Sequence, residues 1–140
     1  MTTTEAFIEV RLGATLTGVR VVNDLVDIAL RAVGVEEALR HDVTLGVAEL
    51  VANVVEHEYR GRPGEVAIRV DAPPGGLSLT IDSGGPTFDL AAAIARARAR
   101  DPLEDPGEGG LGLCMLLALF DDVRHEPRAG GNRLVLTRGR

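Results

Sequence analysis

The sequence predicts an α/β (α+β) two-layer sandwich: a mixed, mainly antiparallel sheet with helices on one face. Three observations carry this prediction. Hydrophobic residues make up 45% of the 140 residues but aromatics only 3%, so the core must be aliphatic, as when helices pack on a sheet. The strand and helix patterns follow the order βααββ(α)αββ, neither repetitive nor regularly alternating, which argues against a doubly wound parallel sheet. A "PPGG" turn at residues 73–76 separates two short apolar runs, the pattern of an antiparallel hairpin.

Each element follows from local pattern. "FIEVRLGA" alternates as a first strand, and Leu16, Val19, Val22, Val26, Ala29, Leu30 and Val33 then recur at helical spacing up to a stop at Gly34. A second helix is expected from Val35 or Glu36 through Glu56, followed by a Gly61, Pro63, Gly64 turn. "EVAIRVDA" and "LSLTID" form the hairpin. After "SGGP" comes an Ala-rich helical stretch, "FDLAAAIARARAR", then a Pro-, Gly- and acid-dense loop at residues 101–110. A helix from Leu111 to Phe120, the strand "DDVRHEP", the turn "RAGGN" and a last strand "RLVLTR" complete one expected domain over residues 1–140.

Composition removes several function classes. The net charge of -6 and the lack of any Lys/Arg block argue against direct nucleic-acid binding. One cysteine, Cys114, permits no intrachain disulfide and no cysteine metal cluster, and it reads as a core residue. No signal-peptide pattern and no membrane-length apolar run appear, so a cytoplasmic, non-membrane protein is expected.

Three polar features stand out against this aliphatic background. From Leu45 to Val55 the only strongly polar side chains are Glu49 and Asn53, four apart on one helix face, with His57 a turn further on. Either this stripe is the narrow exposed edge of a core helix, or a ligand supplies partners that a carboxylate and an amide need away from water. The second feature is "LTIDSGGPTFD", a strand ending on Asp82 beside side-chain-free backbone. Such a carboxylate can accept from a base's amino group, and an ordinary turn has the same composition. The third is "GEGGLGLCMLLALFDDV", in which Gly107, Gly109 and Gly112 have GxGxxG spacing. A dinucleotide fingerprint needs a strand upstream and an acid about 20 residues on. Here "DPLEDP" precedes, and Asp121 and Asp122 come too early. What survives is a glycine loop feeding a helix N-terminus, where backbone N–H groups can hold phosphate.

In order and spacing, "ELVAN", "DSGGPTF" and "GGLGL" resemble the N, G1 and G2 boxes of the GHKL (Bergerat-fold) ATPases. "NVVEHEY" and "GLGLCMLLALFDDV" look most like the bacterial anti-sigma-factor serine kinases of the RsbW and SpoIIAB type. The resemblance implies ATP bound between the helices and a lid spanning about residues 88–109. Glu49 would be the catalytic base and Asn53 the ligand of Mg2+. ATP would be bound through Asn53, His57, Asp82, Gly84 and Pro86, through the loop Gly107, Gly109, Gly110, Leu111, Gly112 and Leu113, and through Thr137 near the base. Asp82 would accept from the adenine amino group. Glu108 stands where related kinases often have glycine. Arg20, Arg96 and Arg100 are candidate partner contacts, and Arg96, Arg98 and Arg100 also suit an ordinary solvated helix face.

By the same resemblance the protein would be a serine/threonine-protein kinase and anti-sigma factor. It would phosphorylate a STAS-type anti-sigma antagonist, bind a sigma factor and form a homodimer. The alternative is a nucleotide-dependent module that sequesters a partner without phosphoryl transfer.

Overall fold

A computed structural model describes residues 7–60, 62–73, 75–84, 90–99, 111–128 and 130–139; at 7, 57, 58, 90, 91, 93, 97, 98 and 111–113 the backbone alone is described. Among the described residues the strands and α-helices run in the expected order: β1 (Phe7–Gly13), α1 (Leu16–Ala32), α2 (Glu37–Asn53), β2 (Glu65–Asp71), β3 (Gly76–Ser83), α3 (Leu90–Ala99), α4 (Leu111–Leu119), β4 (Asp122–Arg128) and β5 (Gly131–Gly139).

These strands form one sheet in the order β1-β2-β3-β5-β4. Every neighbouring pair is antiparallel, so the expected mixture of strand directions is not found among the described residues. Short turns explain this, because each of the β2/β3 and β4/β5 pairs is a hairpin that needs no crossover.

Alternation along the strands sorts the two faces. Val66, Ile68 and Val70 on β2, Leu77, Leu79 and Ile81 on β3, and Leu134 and Leu136 on β5 are buried and form one side of the core. From the helices, Val22, Val26, Leu30, Val43, Val47, Leu50 and Leu116 close the same core. The other face carries Glu9 and Arg11 of β1, Arg69 and Asp71 of β2, Ser78, Thr80 and Asp82 of β3, and Arg133 and Thr137 of β5. An antiparallel sheet tolerates this arrangement, one face packed and one face wet. Pro127 lies on the edge strand β4, where its missing N–H breaks no interior ladder.

The helical layer is tied by specific polar contacts. Thr15 caps α1 by accepting from the Gly18 N–H at 3.1 Å. Gly34, with φ +85, turns the chain into α2. Arg40 of α2 then donates to Asp27 of α1 at 2.9 Å and to the Val35 carbonyl at 2.8 Å, which fixes the helix pair. On its far side α2 packs along α4, and α4 along α3. Cys114 is half-buried in α4 rather than sealed in the core.

The second helix does not end as a simple α-helix. After Asn53 the backbone widens into a π turn, Val54–Tyr59, closed by an Arg60 N–H to Val55 carbonyl bond of 3.1 Å and by Arg60 at φ 52.

Candidate nucleotide site

Glu49 and Asn53 lie where the spacing predicts, both half-buried on α2, with Val47, Leu50, Val51 and Val54 buried around them. The aliphatic neighbours hold α2 against the core, so the two polar groups are placed by the helix rather than by a loop. Glu56 a turn later is exposed. His57 falls inside the π turn, and its side chain lies outside the described residues.

The π turn has a structural purpose: it aims Tyr59. This ring is 3% exposed, and its hydroxyl donates to the Glu65 carbonyl and accepts from the Gly84 N–H at 2.8 Å. Gly64 makes room for it, since a Cβ at that position would sit 1.9 Å from the ring. One buried phenol thus joins the end of α2 to the end of β3. No sequence motif marks Tyr59 for this role; its only signal is that of an aromatic in a chain with few.

Asp82 takes the opposite direction from the one expected of it. Its neighbours Ile81 and Ser83 are on the helix-facing side: Ile81 is core, and Ser83 is register partner both to Val66, fully buried, and to Asn132, 7% exposed. Successive strand residues point to opposite faces, so Asp82 is on the open face. There Arg133, its register partner on β5, grips it with two bonds of 2.6 and 2.8 Å. The pair sits in a shallow cleft of about 220 Å3 with Glu9, Arg69, Asp71 and Thr80. Hydrogen bonding from Arg133 holds the Asp82 carboxyl below the usual carboxylate range against the opposing cost of burial, helped by the charges of Arg133, Arg128 and Arg11. Its reciprocal effect raises the Arg133 guanidinium.

Thr137 is likewise on the open face. It pairs with Ser78 and Asp122, at the end of the sheet away from Gly84. The structure therefore does not bring Asp82 or Thr137 together with Glu49 and Asn53, and the cause in both cases is strand parity.

What does occupy the helix-facing end of β3 and β5 is a polar set without a carboxylate. Ser83 lies beside Asn132, one of the few buried polar residues, whose Oδ1 is 2.7 Å from His125 Nε2 on β4. Because an amide oxygen only accepts, the imidazole donates there. Gly84 follows at once, and among the described residues only the Tyr59 hydroxyl comes within 4 Å of a would-be Cβ. Gly131 allows β5 to approach closely, since a Cβ there would fall 2.0 Å from the Ser83 carbonyl.

The remaining predicted residues are placed in part. Helix α4 begins at Leu111, so Leu111, Gly112 and Leu113 form its first turn, where unpaired N–H groups gather. Pro86, Gly107, Gly109, Gly110 and Arg100 lie outside the described residues, as does the lid apart from α3. Arg20 on α1 and Arg96 on α3 are exposed. Among the described residues no group of three or more His, Cys, Asp or Glu could hold a metal ion. A cation beside α2 would rest on the Asn53 amide oxygen, waters and phosphate oxygens, a donor set of hard oxygens that suits Mg2+.

A helical layer on an antiparallel sheet, with a carboxylate and an amide on α2 and a second helix that begins where a glycine-rich sequence ends, is the layout an ATPase-type nucleotide site would use. Comparison with known proteins agrees: residues 12–138 match the histidine kinase-like ATPase domain, and the chain belongs to that family. It is similar to serine-protein kinase RsbW of Bacillus cereus (strain AH820) and of Bacillus anthracis (strain CDC 684 / NRRL 3495), 29% identical over 86 residues in each case. Those matches cover 59% of this chain and 54% of the relatives, so the likeness spans about half the length of the curated proteins it matches. A crystal structure of the RsbU and RsbW domains of a Mycobacterium tuberculosis protein superposes with a TM-score of 0.66 at 21% identity, over 96% of this chain and 32% of the other. That superposition shows a shared fold.

Proposed function

We propose that the chain is an ATP-dependent serine/threonine-protein kinase domain that works in partner switching. It would phosphorylate a STAS-type anti-sigma antagonist and, in the alternative state, hold a sigma factor. The observation that carries this reading is the pair Glu49 and Asn53, set four apart and half-buried in a stretch, residues 45–55, whose other side chains are apolar. The RsbW relatives, named as serine-protein kinases, support it.

Bound Mg-ATP would supply the transferable phosphoryl group. Glu49 would take the proton from the attacking serine hydroxyl, and Asn53 would turn its amide oxygen to the cation. The N–H groups of Leu111, Gly112 and Leu113 at the start of α4 would hold phosphate oxygens. Gly84 would leave bare backbone beside the base. Exposed Arg20 and Arg96 are offered as partner contacts, a homodimer as the assembly and the cytoplasm as the setting. No helix among the described residues is long and apolar enough to cross a membrane.

The test uses labelled ATP, the purified protein and a purified STAS-domain antagonist protein. Label is expected on the antagonist, and Glu49→Gln is expected to cut transfer by about 10²- to 10⁴-fold. The same variant should still melt at a higher temperature with Mg-ATP. If Mg-ATP raises no melting temperature even in the parent protein, nucleotide binding itself is wrong. Binding without transfer would instead favour the sequestering module.

A further inference from the structure

The end of the sheet tied to the π turn after α2 carries a hydroxyl, an amide and an imidazole, and the nearest carboxylate in sequence is turned away. Ser83 and Asn132 are register partners on the helix-facing side, and His125 is bonded to Asn132 at 2.7 Å. Through Gly84 and the Tyr59 hydroxyl, this end is joined to the same stretch of α2 that carries Asn53. Side-chain-free Gly84 and Gly131 flank Ser83, so a flat ring can lie against backbone there.

The chemistry of this set differs from that of a carboxylate. An ionised carboxylate only accepts, so it selects a purine with a 6-amino group and repels one with a 6-oxo group. A serine hydroxyl donates or accepts, an asparagine side chain does both, and an imidazole does either according to its tautomer. A site of such groups can pair with an amino or a carbonyl group at the same ring position, and loses the repulsion that excludes the wrong base.

We propose that Ser83, Asn132 and His125, rather than Asp82, form the base-recognising end of the nucleotide site, and that this set, which contains no carboxylate, admits a 6-oxopurine nucleotide, GTP, alongside ATP. The inference rests on the nucleotide-binding reading above and assigns which residues set its specificity. Asp82 belongs to the open face and takes no part in base recognition.

Calorimetric titration of the full chain with the Mg2+ salts of ATP and of GTP tests it. The two dissociation constants are expected to lie within about tenfold of each other, since the set holds no carboxylate to tell the bases apart. Ser83→Asp restores a carboxylate on the helix-facing side and should favour ATP over GTP by at least a further order of magnitude, about 1.4 kcal/mol. Asp82→Asn should leave both constants within about twofold, because its carboxylate faces the other way. Ser83 is only half-buried, so its variants should fold, and circular dichroism checks this; Asn132→Ala, more buried, is a supporting variant only.

The proposal is overturned if the parent binds ATP with strong exclusion of GTP and Asp82→Asn abolishes that binding. It is also overturned if Ser83→Asp leaves the ratio of the two constants unmoved. Should the folded parent bind neither nucleotide, the nucleotide reading falls and takes this inference with it. In the first two outcomes nucleotide binding stands and only the base assignment fails.

Discussion

The two faces of the sheet make opposite use of adjacent residues. On the helix-facing side, Ile81 is core and Ser83 lies against Val66 and Asn132, within a layer closed by α2 and α4. On the open side, Asp82 between them is about one-third exposed and clasped by Arg133 among other charged groups. A carboxylate next to the core is not thereby part of a site reached through the core. Which face it serves is decided by the two-residue period of the strand, and a neighbour one peptide away inherits none of its surroundings.

Strand β3 itself offers the severest test of this contrast. Ile81→Ala should cost about 2–5 kcal/mol by leaving a cavity, whereas Thr80→Ala, on the open face, should stay within about 0.5 kcal/mol. Chemical denaturation measures both, and equal losses would mean the faces are assigned wrongly. Tyr59→Phe comes next. It keeps the packed ring but leaves the Gly84 N–H and the Glu65 carbonyl without their shared partner, at about 1–3 kcal/mol. Hydrogen exchange at the Gly84 amide should rise in that variant, which localises the effect to the junction between α2 and β3.

A smaller loss than at Ile81 or Tyr59 is expected of Asp82→Asn, about 1 kcal/mol at neutral pH after allowing for solvent screening of a part-exposed pair. Because Arg133 depresses the folded-state value of Asp82, the pair's stabilisation is complete above the ordinary carboxylate range near pH 4 and is lost as pH falls through the depressed value. The melting-temperature gap between parent and variant should therefore be present at pH 7 and narrow as the pH falls below about 4. A gap that does not narrow with falling pH would show that the Asn side chain itself disturbs the strand.

Much of this arrangement is legible in the residues alone. Aliphatic spacing bounds α1 through Gly34, and the glycine turns mark both hairpins. The same alternation that identifies β3 also contains the correct face for Asp82, since Leu77, Leu79 and Ile81 place residue 82 outward. Motif order points to Asp82 instead, because a carboxylate next to glycines suggests a base contact more strongly than Ser83 does. Thr137 misleads for the same reason of parity. The all-antiparallel pairing is not legible, as strand direction depends on which edges meet. Nor is the π turn: Val54 and Val55 continue the apolar pattern of α2, and the widening is a response to where Tyr59 must pack.

That turn makes chain length at the end of α2 a structural quantity in its own right. A π turn holds one more residue per turn than an α-helix. Rewinding the stretch Val54–Tyr59 as α with every residue kept would swing Tyr59 by about 100° away from Gly84, one residue's rotation on an α-helix. Deleting one residue from Val54–Glu58 as the backbone rewinds would instead return Tyr59 close to its place. The joint is therefore expected to tolerate a single-codon deletion better than an insertion, which the turn would have to hold as a second extra residue.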